Sequence, residues 1–193
     1  MRKASRMIAL ALALSAAFSE GLAIQPVNSA QCELALQITR ERASHDYGKP
    51  VVFATSPPND FHVSAEALSG RWTNYVSGNS LDVTPPPAAL VEQFASSRRN
   101  AVSVCVSVRK WLAHHRVGFG KVAVKSVRVN ADDELSAGIL TVGLPVVSDD
   151  GQTALVYLDS VWGGEAGGGH VYLYRRRERG IWEMVGQQEL WIS

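Results

Sequence analysis

Four β-rich runs in the C-terminal third constrain this chain more than anything else in its sequence. Residues 140–145, 154–160, 170–175 and 181–191 are dense in β-branched, aliphatic and aromatic side chains. They are separated by Ser148-Asp149-Asp150-Gly151, by the glycine-dense stretch 163–169 and by the charged stretch 176–180. Turn chemistry at such intervals specifies an antiparallel meander.

The signals upstream are mixed. Residues 30–44 carry Leu34, Leu36 and Ile38 among good helix formers with no Gly or Pro, which predicts an amphipathic helix ended by the segment 45–50. Residues 51–55 form a short apolar run bounded by prolines and read as a buried strand. Residues 61–84 show no sustained period and many Ser, Gly and Asn, so they are expected to form one long loop with room for one short element, and long loops inside a domain are often functional. A helix over 88–99 is expected next, with Thr84 as a hydroxyl cap candidate, Pro85-Pro86-Pro87 at its start, and Leu90, Val91 and Phe94 on one face.

Val102, Val104, Val106 and Val108 alternate with polar residues, which predicts a strand carrying Cys105 on the face opposite the valines. Residues 110–117 fit either helix or strand, and 121–129 alternate again through Val122 and Val124. The expected fold is therefore α+β: N-terminal helices packed on one face of a curved antiparallel sheet, with a C-terminal β-meander.

Arg2, Lys3 and Arg6, the apolar run 7–18 and the small residues before position 24 have the form of a secretory signal, assigned to residues 1–23. The run is shorter than the ~20 apolar residues that span a bilayer, so no stable membrane insertion is expected once the signal is cleaved. Residues 24–193 are expected to form a single domain, exported to the periplasm or secreted. Removing Arg2, Lys3, Arg6 and Glu20 from 19 Lys+Arg and 18 Asp+Glu leaves 16 and 17, a net charge of −1. A charge so near zero gives no global attraction for nucleic acid. Cys32 and Cys105 both survive cleavage, and in an oxidising compartment they are expected to form a disulfide.

Candidate chemistry concentrates in the glycine-dense stretch. It is followed by a strand and lacks the Lys and helix of a phosphate-cradling loop, so it is expected to be a hairpin connection whose glycines supply positive φ or close backbone approach. Read instead as the lip of a cleft, the stretch offers Trp162, Glu165, His170 and Tyr172 as binding residues. Glu165 and His170 are the acid and base it contains, and a hydrolase of envelope material using that pair is the alternative reading. No strained serine elbow is present, and a disulfide at Cys105 would remove its thiolate. His114 and His115 are adjacent and therefore diverge, so no metal site and no cofactor are expected. The run Arg175–Arg179 reads as a solvated hairpin tip.

The tail from Leu144 resembles the C-terminal half of a group of uncharacterised bacterial secreted proteins. The likeness is carried by Ser148-Asp149-Asp150-Gly151, Ala154-Leu155-Val156-Tyr157, the glycine turn, Tyr172-Leu173, Trp182 and the ending Leu190-Trp191-Ile192-Ser193. It implies a shared fold and is silent about activity. Proteins of that group often carry Cys-Gly-x-x-Cys-Gly in the turn, where this chain has Trp162-Gly163-Gly164-Glu165-Ala166-Gly167. The function expected from all of this is a non-enzymatic binding or protein-interaction module of the cell envelope. Its partner would be an envelope protein or a small ligand, met by the loop 61–84 together with the turn 162–170.

Overall fold

A computed structural model describes residues 27–45, 50–55, 63–76, 79–97, 100–129, 134–163 and 166–192. The expected signal segment, and Glu165 of the glycine stretch, lie outside these residues. In chain order the elements are α1 (Ser29–His45), β1 (Val51–Phe53), β2 (Thr73–Val76), β3 (Asn79–Asp82), α2 (Ala88–Ser96), α3 (Val106–His114), β4 (Gly118–Phe119), α4 (Gly120–Ser126), β5 (Glu134–Val142), β6 (Val146–Val147), β7 (Thr153–Gly163), β8 (Gly167–Arg176) and β9 (Trp182–Ile192). Short 3-10 turns occupy Ala67–Ser69, Val102–Val104 and Glu178–Gly180.

The class is α+β, and the strands form one sheet in the order β3-β2-β9-β8-β7-β5-β1-β4, with β6 beside β7. The meander is present: β7 pairs antiparallel with β8 from Thr153↔Arg175 to Val161↔Gly167, and β8 pairs antiparallel with β9. The sheet as a whole is mixed, because β1 runs parallel to both β4 and β5. Parallel neighbours need a long crossover, and the chain supplies one through α2 and α3 before it returns as β4.

Both faces of the central strands are apolar, and this decides the layers. Ala154, Val156 and Leu158 of β7 join one core with Leu34, Ile38, Val108 and Leu112 of α1 and α3. Leu155 and Tyr157 join a second core on the opposite face with Leu68, Trp72, Leu90 and Phe94. The two helices expected on one face thus cover opposite faces, α1 on one and α2 on the other.

Local chemistry explains α1 well. Asn28 and Gln31 cap it reciprocally: the Gln31 backbone N–H donates to Asn28 Oδ1 at 2.8 Å and the Asn28 N–H donates to Gln31 Oε1 at 2.9 Å. Leu34, Ala35 and Ile38 then fall on the buried stripe. Helix α2 begins differently from its expected form. Pro87 holds the N-cap position with no side-chain cap, and the Thr84 carbonyl accepts from the Arg175 guanidinium instead.

Three expectations are overturned. Residues 102–108 form a 3-10 turn and the start of α3 rather than a strand; Cys105, Val108 and Leu112 point inward together, while Val104 and Val106 are exposed. Spacing by three and four residues outweighs the alternation of valines, because only the helix can bury Cys105 and Leu112 on the same side. Residues 121–126 are helical as well, in α4, whose valines do not enter the core. The expected loop 61–84 contains the 3-10 turn at Ala67–Ser69 and the hairpin β2–β3, anchored by the buried Leu68 and Trp72.

The cysteines are joined. Cys32 in the first turns of α1 bonds Cys105 at the N-cap of α3, with Cα atoms 5.5 Å apart and a sequence separation of 73. Closing so long a loop restricts the unfolded chain by about 4 kcal/mol in the chain-entropy model. Replacing both cysteines by alanine is expected to lower unfolding stability by about 2–5 kcal/mol. Urea unfolding of the oxidised, reduced and doubly substituted proteins checks this, with the last two behaving alike.

Candidate functional site

The glycine-dense stretch is mostly strand. Gly167, Gly168 and Gly169 begin β8, and none has a positive φ; among the described glycines that conformation belongs to Gly120, Gly151 and Gly180. What the stretch supplies is room for an indole. A Cβ at Gly169 would lie 2.1 Å from Trp191 Nε1, and one at Gly167 would lie 3.2 Å from the same ring. Trp162 is seated in the same manner across β5, where a Cβ at Gly138 would lie 2.4 Å from its ring. Of the two expected glycine roles, close approach is the one found at Gly167 and Gly169.

Strand parity sorts the expected site residues. His170, Tyr172 and Tyr174 alternate along β8 onto the face covered by α1, and His170 pairs with Leu158 on one side and Glu189 on the other. The Arg42 guanidinium of α1 lies 5.1 Å from the centre of the Tyr172 ring. The rings of His170 and Tyr172 are 5.8 Å apart. His170 Nε2 stands 4.0 Å from Glu189 Oε2. Burial holds the His170 imidazole below its ordinary pKa, the Glu189 carboxylate opposes that shift and Arg42 adds to it. Burial, reinforced by Glu41, likewise pushes the Tyr174 hydroxyl up.

The structure therefore brings His170 and Tyr172 together beneath Arg42. Trp162 shares their face of the sheet but turns toward Gly138 on β5. The loop 61–84 does not join them, since its buried residues Val63, Leu68 and Trp72 pack on the opposite face. Among the described residues no group of three His, Cys, Asp or Glu side chains is placed to hold a metal ion.

Two features were missed by sequence reasoning. Asp159 is 3% exposed at the end of the apolar part of β7. Its carboxylate accepts from the Tyr157 hydroxyl at 2.9 Å, and Thr141 also donates to it. Desolvation raises its pKa against those hydrogen bonds. The available signal was parity: Tyr157 and Asp159 are two apart on one strand and share a face. The second feature is an open groove of about 370 Å³ between the 3-10 turn Ala67–Ser69 and the start of α2. Leu68, Pro85, Pro86 and Val91 line it, with Glu66 and Glu92 exposed beside them.

No family model, curated protein or solved structure matches the chain. Its function must be argued from this geometry.

Because the Asp159 carboxyl has a raised pKa, the native state holds a proton that the unfolded chain releases in the range above the ordinary carboxyl value. Ionisation of this group thus removes stability as pH rises through the folded pKa. Asp159→Asn abolishes that loss. Its stability relative to wild type is expected to increase between about pH 4, near the ordinary carboxyl pKa, and neutrality, as measured by urea midpoints across pH.

Proposed function

We propose that this chain is a non-enzymatic binding module of the cell envelope, and that it engages a protein segment in the groove between the 3-10 turn and α2. The observation that carries this reading is the position of the groove. It is the concave feature described above, and it lies on the sheet face opposite His170, away from the titratable cluster that a hydrolase would use.

The groove's chemistry suits a peptide. Leu68 forms a buried floor, the ring of Pro86 is also buried, and Val91 is partly exposed. Prolines in the wall hold the backbone rigid, which lowers the entropy cost of association. Glu66 and Glu92 favour a segment that carries Lys or Arg beside an apolar side chain, because complementary charge on a rim selects partners and speeds encounter. The disulfide is compatible with an oxidising compartment, and so with export to the periplasm or beyond. A folded module of this kind needs no membrane-spanning segment, and among the described residues no helix is long and apolar enough to cross a bilayer.

The hydrolase alternative has weaker support. Its acid, Glu165, lies outside the described residues, and the carboxylate that His170 does face, that of Glu189, stands 4.0 Å away, beyond the ~2.6–3.2 Å of a hydrogen bond. The imidazole is also partly enclosed by Tyr172, whose ring lies below Arg42, in the manner of a group that packs two layers together.

Affinity capture from envelope extracts with the wild-type protein and with Glu66→Lys/Glu92→Lys tests the proposal. A stoichiometric protein partner is expected with wild type, at about tenfold or greater loss with the charge-reversed form, given two rim charges that turn from attractive to repulsive. Equal capture by both forms, or hydrolysis of envelope material abolished by His170→Ala, would overturn it.

A further inference from the structure

The net charge near neutrality conceals a sharp segregation. Between Glu92 and Asp132 the sequence contains no Asp or Glu, yet besides Arg98 and Arg99 it holds Arg109, Lys110, Arg116, Lys121, Lys125 and Arg128, these six all exposed. Among the described residues no ion pair involves any of these side chains; carboxylates that do form ion pairs include those of Glu33, Asp82, Glu183 and Glu189. The segment that carries them wraps the β4 edge of the sheet. Helix α3 lies on one side of it, and α4 lies on the other, where Ala123 meets Gly118 and Val52.

Helix α4 departs from the rule that surface helices bury an apolar stripe. None of its residues is buried, and Val122 is 84% exposed. Helical spacing places Lys121 and Lys125 one turn apart on one face, and the exposed Val122 flanks that pair. The chain continues through Arg128 to Val129, which is 56% exposed. That continuation is fixed, because the Arg128 backbone N–H donates to Ser136 Oγ and its carbonyl accepts from the Ser136 N–H. The result is a rigid prow of cations interleaved with bare valines.

We propose that this prow docks the protein on an anionic lipid surface, with Val122 set at the headgroup boundary and Lys121, Lys125 and Arg128 against lipid phosphates. Cations interleaved with exposed aliphatic side chains are what an interfacial site combines, since apolar burial and attraction to anionic lipid add. A site for nucleic acid or another stacking polymer would instead present aromatic faces, and α4 has none. The contact is peripheral and reversible, and it shares no residue with the groove, which is lined from the 3-10 turn and the start of α2.

Sedimentation of the full chain with vesicles tests this. Binding is expected with vesicles of mixed phosphatidylglycerol and phosphatidylcholine, absent with phosphatidylcholine alone, and lost near ~1 M salt, where the screening length falls to about 3 Å. Lys121→Glu/Lys125→Glu is expected to weaken it by about tenfold or more, and Lys121→Gln/Lys125→Gln by less, in keeping with the per-cation contribution at a charged membrane. Any leader segment is common to all variants, so the comparison among them isolates α4. Thermal unfolding matched to wild type shows that the variants fold. Equal binding to both vesicle types, or binding unchanged by charge reversal, would overturn the proposal. So would retention on soluble heparin without vesicle binding, which would assign the patch to a soluble polyanion.

Discussion

The two-sided burial of β7 and β8 is the constraint on which the rest of the structure depends. Consecutive residues 154–158 are all buried, alternating between two cores, so neither face of the meander tolerates water. One face is closed by α1 and α3, and the other by α2 with the segment 63–72. Because α1 and α3 share a layer, Cys32 and Cys105 come within bonding distance, and the disulfide locks the layer that the sheet requires. Removing either cover would expose a continuous aliphatic surface that a chain of this size has nothing else to hide.

The same constraint separates roles within the molecule. His170, Tyr172 and Arg42 lie where α1 meets the sheet, and their contacts serve to join those layers. The groove forms on the other side, between a proline-led helix and a 3-10 turn. The prow at α4 lies at a third place, the β4 edge, where a strand of two residues ends the sheet and a short helix blunts it. The two surfaces proposed for recognition are thus independent positions, and neither draws on the aromatic seats that use up the glycines.

Much of this was legible in the sequence, and the reasons for the failures are physical. The meander, α1, α2, β1 and the cysteine pair could be read because local pattern and tertiary demand agree there. Residues 102–108 misled because alternate valines mimic strand periodicity, whereas burial at Cys105, Val108 and Leu112 follows a helical spacing that becomes visible only once the disulfide fixes which side is inward. The hairpin β2–β3 was hidden by strands of four residues in a Ser- and Asn-rich context, where pairing to β9 and the anchors Leu68 and Trp72 decide the conformation. The parallel direction of β1 has no local signal at all. Of the expected binding residues, His170 and Tyr172 do meet, but in a layer junction; the groove escaped notice because Pro85, Pro86 and Leu68 come from segments whose meeting is a tertiary event.

The central claim is that recognition occurs at the groove face and that the His170 face is internal joinery. Photo-cross-linking in producing cells distinguishes them, with the reactive side chain introduced at Glu92 in one protein and at Glu189 in another. The account predicts a discrete adduct with a partner from position 92 and none from position 189. An adduct formed from position 189 alone would contradict it.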